Sequence, residues 1–144
     1  MKKTIGIVIV IVIVIALVYF FIFSKDRPKS IEFTPVEEED IPAQIAEILP
    51  NYRMKEKALV CKVNDEIYVV VTRGEKASAG YEVEIKKIYL ENVDNEMTVR
   101  VVAEFTDPKP GEVQAQILTY PYTIVKTELE ELPTKVVLDK EYKK

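Results

Sequence analysis

The chain has 144 residues, 48% hydrophobic and 31% charged, with 24 acidic against 20 basic side chains and a net charge of −4. It contains no histidine and a single cysteine, which excludes Ser-His-Asp and Cys-His nucleophilic systems, His-ligated zinc and any internal disulfide. With Lys2 and Lys3 set aside the rest carries about −6, a balance that disfavours nucleic acid and anionic lipid headgroups as partners.

Residues 5–23 are an uncharged run, mostly Ile and Val. As a helix this run spans roughly 28 Å, close to the ~30 Å hydrocarbon core of a bilayer. Ile and Val favour strands in water, but in lipid a lone strand leaves its backbone unpaired, so a helix is the viable form. Tyr19, Phe20, Phe21 and Phe23 sit near one end, where aromatic side chains mark the membrane interface. The competing reading is a cleaved signal peptide, whose shorter apolar core ends in small residues. Here the run ends in Phe21-Ile22-Phe23-Ser24-Lys25, and no cysteine follows for lipid attachment, the only one being Cys61. An uncleaved anchor over residues 1–23 is therefore expected. Basic residues flank it on both sides: Lys2 and Lys3 before, and Lys25, Arg27 and Lys29 after. The short basic start is like that of an export signal, which puts the expected domain outside the cytoplasm.

A polar tether, residues 24–30 with Pro28, leads to one domain over residues 31–144, long enough for a single core. Ile31-Glu32-Phe33 reads as a first short strand. Glu37 to Asp40 precede Ile41, Ile45, Ile48 and Leu49, which recur at helical spacing, with Pro42 in the first turn and Pro50-Asn51 as the stop. The acidic cluster suits a helix start better than a metal site. From Lys57 the period changes to two. Ala58–Val63 and Glu66–Thr72 form a hairpin about Asn64-Asp65, and Ile67 to Val71, apolar on both faces, reads as a central strand. Tyr81, Val83 and Ile85 alternate with charged residues until the phase slips at Lys86-Lys87, the sign of a β-bulge. A turn at Asn92–Glu96 leads to Met97, Val99, Val101, Ala103 and Phe105 on one strand face. Asp107 to Gly111 is a rigid Pro-containing connection, and Gln114 to Leu118 shows no clear period. Strands at Thr119–Lys126 and Thr134–Leu138 complete about seven strands and one short helix. The fold expected is mainly β: an antiparallel sandwich or partly open barrel behind one transmembrane helix.

The loop Val71-Thr72-Arg73-Gly74-Glu75-Lys76-Ala77-Ser78-Ala79-Gly80-Tyr81 holds two of the three glycines outside the apolar run. Glycine is used where the backbone needs φ > 0 or a close approach. The loop is either a specified shape or an ordinary connection that needs two glycines to turn. It is no phosphate-binding loop, since the Gly-x-x-x-x-Gly-Lys-Ser/Thr order is absent and a strand follows. Ser78 and Lys76 as a catalytic pair would need a buried lysine that neighbouring loop positions rarely supply. Cys61, inside an apolar strand, reads as inert. No spacing singles out a carboxylate pair. The chemistry points away from an enzyme, and no metal or cofactor is expected.

The stretch Tyr68 to Ile85 resembles the strand, Gly-x-Lys-x-Thr/Ser-x-Gly-Tyr loop, strand core of the C-terminal domain family of the protease complex subunit PrcB. Pro108, Pro110, Gln116 and Thr119-Tyr120-Pro121-Tyr122-Thr123-Ile124-Val125-Lys126 fit that family's second block, so the resemblance covers roughly residues 55–137. Ala79 stands where the family pattern has Gly, which implies a stiffer loop. The resemblance implies an exported, membrane-attached protein that binds another protein, as the namesake associates with and stabilises a secreted serine protease. It carries no catalytic residues.

The expected function is a non-enzymatic, membrane-anchored binding module facing outward. Its partner is a protein, with a protease the implied candidate, and its membrane contact is through residues 5–23. The candidate contact residues are Gly74, Lys76, Ser78, Gly80, Tyr81, Tyr120 and Tyr122. Tyrosines suit interfaces, although tyrosines at period two also face cores. A narrower alternative is a peptidase inhibitor inserting loop 74–81 into an enzyme cleft, since Ser78 to Tyr81 is loosely similar to the Thr-Thr-Gly-Tyr loop of chagasin-like inhibitors. A carboxylate-dependent enzyme is the alternative of a different class. A pocket with converging Asp or Glu would support it.

Overall fold

The apolar stretch Ile67 to Val71 lies at the centre of the fold. A computed structural model describes residues 1–24 and 27–143; Lys25 and Asp26 of the expected tether, and the final Lys144, lie outside the described residues. The apolar run is helix α1, Lys2–Ser24. Its Ile, Val and Phe side chains are exposed all round, and it is long and apolar enough to cross a membrane, properties a signal sequence shares.

The strands that follow are β1 (Lys29–Ser30), β2 (Phe33–Pro35), β3 (Glu56–Val63), β4 (Glu66–Arg73), β5 (Glu82–Val93), β6 (Glu96–Thr106), β7 (Tyr122–Thr127) and β8 (Lys135–Tyr142), with helix α2 (Ala43–Tyr52) between β2 and β3. They form two four-stranded sheets, ordered β1-β5-β6-β8 and β2-β7-β4-β3. All pairs are antiparallel except β6 with β8. The result is an open sandwich, mainly β as the residue pattern implies. Ile67, Val69 and Val71 of β4 face the other sheet and meet Ile85, Ile88, Val99, Val101, Ala103 and Phe105 in the main core. Tyr68 and Val70, on the opposite face of the same strand, pack under Ile45 and Leu49 of α2. A strand buried on both faces needs no alternation, which is why β4 reads as a continuous apolar run.

Both hairpins turn on two residues in the left-handed region, Asn64-Asp65 (φ 50° and 64°) and Asp94-Asn95 (φ 51° and 63°), as a type I′ turn requires. The second turn is shorter than the five residues expected, because Asn92 and Val93 keep pairing with Met97 and Glu96. The register of β5 against β6 shifts between Ile85 and Lys87, where the sequence phase slips. Val99, Val101, Ala103 and Phe105 are all fully buried.

Several boundaries differ from the sequence expectation for identifiable reasons. Lys29 and Ser30, the end of the expected tether, already pair with Leu90 and Tyr89. Ile31 and Glu32 are no strand but the crossing between sheets: Ile31 N donates to Ile88 O at 2.8 Å, and Glu128 N donates to Glu32 O at 3.1 Å. Pro50 does not stop α2, which runs to Tyr52. Leu49 is buried against the sheet, and the Thr72 hydroxyl donates to Lys55 O at 2.6 Å, so packing carries the helix past the proline. Glu38–Asp40 form a 3-10 turn ahead of the helix. The last strand extends to Tyr142, because β6 offers a parallel edge along its length.

Candidate functional site

The 74–81 loop is an extension of the central ladder. β4 pairs with β7 in fixed antiparallel register from Ile67↔Thr127 to Thr72↔Tyr122. Beyond the last pair the same two chains stay hydrogen-bonded. Arg73 N donates to Pro121 O, Lys76 and Thr119 exchange both backbone bonds, and Ala79 N donates to Ala115 O, at 2.9 to 3.0 Å. Together residues 74–81 and 112–121 make an irregular two-chain arm beyond the end of the sheet. The Thr119 hydroxyl adds a bond to Ser78 O at 2.8 Å.

The two glycines shape its base. Gly74 has φ +85° and Gly80 φ +96°. At Gly80 a Cβ would lie 2.8 Å from the Gln114 side chain and 2.9 Å from Pro108 Cγ. Here the turn needs both the positive φ and the missing side chain.

Arg73 is the pin. It lies on β4 in phase with Ile67, Val69 and Val71, so it points between the sheets, and it is 4% exposed. Its Nη1 donates to Thr106 O at 2.6 Å and Glu82 O at 3.3 Å, and its Nη2 pairs with the Asp107 carboxylate. The guanidinium carbon sits 4.8 Å from the Phe105 ring centre and 5.0 Å from that of Tyr81. Arg73 Nε is buried without a partner among the described residues. One side chain thus ties the end of β4 to the facing ends of β5 and β6.

The residues singled out from sequence gather around this base and arm. Gly74 follows Arg73, and Lys76 lays its ammonium 5.3 Å from the centre of the same Tyr81 ring that Arg73 approaches. Ser78 donates to Ala79 O at 3.1 Å and accepts from Thr119. Tyr120 donates to Glu75 Oε1 at 3.1 Å while Arg53 stacks 4.7 Å from its ring, and the Glu75 bond pushes its phenol above its ordinary pKa. Tyr122 is separated from them, half-buried against the α2 core. Most of these groups are engaged in holding the arm. Outward display falls instead to Val113, Ile117 and Leu118, which are 98%, 59% and 61% exposed. Sequence reasoning overlooked both them and Arg73. The signal for Arg73 was present: a cation in the inward phase of an apolar strand. For the other three it was apolar residues in a Pro- and Gly-bounded loop with no period to bury them.

A cleft of about 450 Å³ opens beside the arm's base, lined by Tyr81, Glu82, Val83, Glu84, Glu104, Thr106, Pro121, Tyr122 and Lys143. Its carboxylates lie on the outer rows of the sheet. Glu84 and Glu104 are directly opposed across strands, and Lys86 Nζ lies 3.2 and 3.7 Å from them. Among the described residues no group of Asp, Glu or Cys is arranged to hold a metal ion. Cys61 is half-buried in β3, and burial pushes its thiol up, away from the reactive thiolate.

The fold and this arm define a small β-sandwich module behind an apolar helix, with its distinctive geometry concentrated between β4 and β7. That segment matches a known family: residues 67–128 fit the family described as PrcB C-terminal. The match begins on β4 and ends just past β7, so it contains Arg73, both halves of the arm and the cleft-lining strands. No curated protein and no solved structure matches the chain significantly.

Proposed function

We propose that this protein is a non-enzymatic, membrane-anchored binding module that works outside the cytoplasm and associates with a secreted or membrane protease. The observation that carries the reading is the display of Val113, Ile117 and Leu118 on an arm whose backbone is fixed by its partner segment. Exposed apolar side chains cost little when scattered, but three on one ordered segment mark a contact surface. Holding the arm rigid before binding lowers the ordering entropy lost on contact. The family description is consistent with a role in a protease complex. The uncleaved anchor and outward orientation rest on the length of the apolar run and its basic start.

Insertion of loop 74–81 into an enzyme cleft is less well supported, since the backbones of Lys76 and Ala79 are already committed to Thr119 and Ala115. A carboxylate-based reaction has little support, since Lys86 lies between Glu84 and Glu104.

The test is cross-linking and capture from membranes with the full chain, comparing wild type with the Ile117→Asp/Leu118→Asp pair and with Gly80→Asp. Loss of one and the same co-purifying protein, a protease, in the folded aspartate pair is expected. Undiminished capture by that pair would remove the arm from the interface. Protection of residues 30–144 from added protease in intact cells would contradict the outward orientation.

A further inference from the structure

We propose that the open edge of β5, from Val83 to Ile85, accepts an extended segment of a basic partner protein as an added strand. This rests on the reading of the domain as a protein-binding module but assigns a second surface, one that does not include Val113, Ile117 or Leu118. In an antiparallel pair, opposed residues either exchange both backbone bonds or turn their peptide groups outward. Lys143 N donates to Phe105 O at 2.9 Å, so the peptide groups of Phe105 turn toward the β8 side. Val83, directly opposite Phe105, therefore turns its own away from β6, and Ile85, opposite Ala103, follows two residues on. The far half of the same edge is covered, by β1 at Tyr89 and Leu90 and by Ile31 N on Ile88 O. Before the bulge, no backbone partner meets Val83 or Ile85 among the described residues. Unpaired donors and acceptors along a strand edge are a template for another strand.

The surroundings select the occupant. An added strand would run along the cleft, with alternate side chains facing Pro121 on the inner side and Glu82 and Glu84 on the outer side. Glu104 adds a third carboxylate next door, against Lys143 and a Lys86 already held by two glutamates. The matching segment alternates Lys or Arg with apolar residues. A second copy of this chain fits poorly: its own β5 edge would set glutamate beside glutamate, and the soluble part carries about −6.

Amide exchange of the full chain in neutral detergent, with and without a hexapeptide of alternating lysine and valine, tests this. At millimolar peptide, exchange at Val83 and Ile85 is expected to slow at least tenfold, while that of Val99 stays unchanged. The Glu82→Lys/Glu84→Lys pair, on the exposed outer row, should abolish the effect. No slowing, or equal slowing by a glutamate–valine peptide, would overturn the proposal. Slowing that grows with protein concentration in the absence of peptide would overturn the choice of partner in favour of a second copy. Edge protection without arm-dependent capture would defeat the arm reading alone, and the reverse result would defeat this one alone.

Discussion

Replacing Arg73 by alanine should be among the costliest single changes outside the apolar core. The side chain is buried, and its removal takes away the one charged donor that Thr106 O and Glu82 O share, at 2.6 and 3.3 Å, where the ends of β5 and β6 face β4. Each hydrogen bond from a charged donor is worth about 1.5–3 kcal/mol. Loss of the contacts to Phe105 and Tyr81 adds about 0.5–1 kcal/mol. The Glu82 bond, at 3.3 Å, is the longer of the two and carries less weight, so the expected total is about 3–5 kcal/mol, in line with breaking a buried charged contact. Asp107 differs: its side chain is 53% exposed, and once unpaired it returns to water. Asp107→Asn should therefore cost only about 1 kcal/mol or less. Urea unfolding of the full chain in mild detergent, followed by near-ultraviolet dichroism of the tyrosines, reads both. A loss below about 1 kcal/mol for Arg73→Ala, or equal losses for the two variants, would refute the argument that the buried carbonyl bonds hold the sheet ends.

Two further outcomes follow from the same geometry. Gly80→Ala should destabilise by about 1–3 kcal/mol, from positive φ together with the clash on Gln114 and Pro108. Gly111→Ala, with φ +86° but open space, should cost clearly less, and unfolding midpoints that rank the other way would refute the close-approach argument. For acid sensitivity, hydrogen bonds from Lys126 first and Tyr68 second hold Glu66 below its ordinary pKa of 4.5. The folded form thus resists protonation, so this contribution is present above 4.5 and is lost as pH falls through the lower folded value. Glu66→Gln should therefore flatten the stability slope on the acid side, and identical slopes for both proteins between about pH 5 and about pH 3 would count against it.

The readability of this chain tracked the physics of each segment. β4 was legible because a strand buried on two faces must be apolar throughout, and the bulge was legible because a phase slip has no other economical cause. The end of α2 was not, since local proline chemistry there lost to the packing of Leu49 and the Thr72 hydroxyl. Loop 74–81 was visible as a pair of glycines, but its partner was not. Residues 114–118 have no period, and only the shared register with β7 brings Ala115 and Thr119 alongside Ala79 and Lys76. Arg73 was hidden by its position next to a glycine, where it read as part of a loop instead of the last inward residue of a strand.

The crossing at Ile31 and Glu32 has a mechanical consequence if α1 serves as an anchor. Tension arriving along the chain from α1 meets β1 first, a strand of two residues held to one sheet, and then β2, held to the other. Between them Ile31 is sunk in the core that both sheets share. A weak tug therefore peels Lys29 and Ser30 and stops at a buried side chain. To go further it must draw Ile31 out of the core and then strip β2 from β7, which gives the domain a short, yielding leash and a firmer knot behind it.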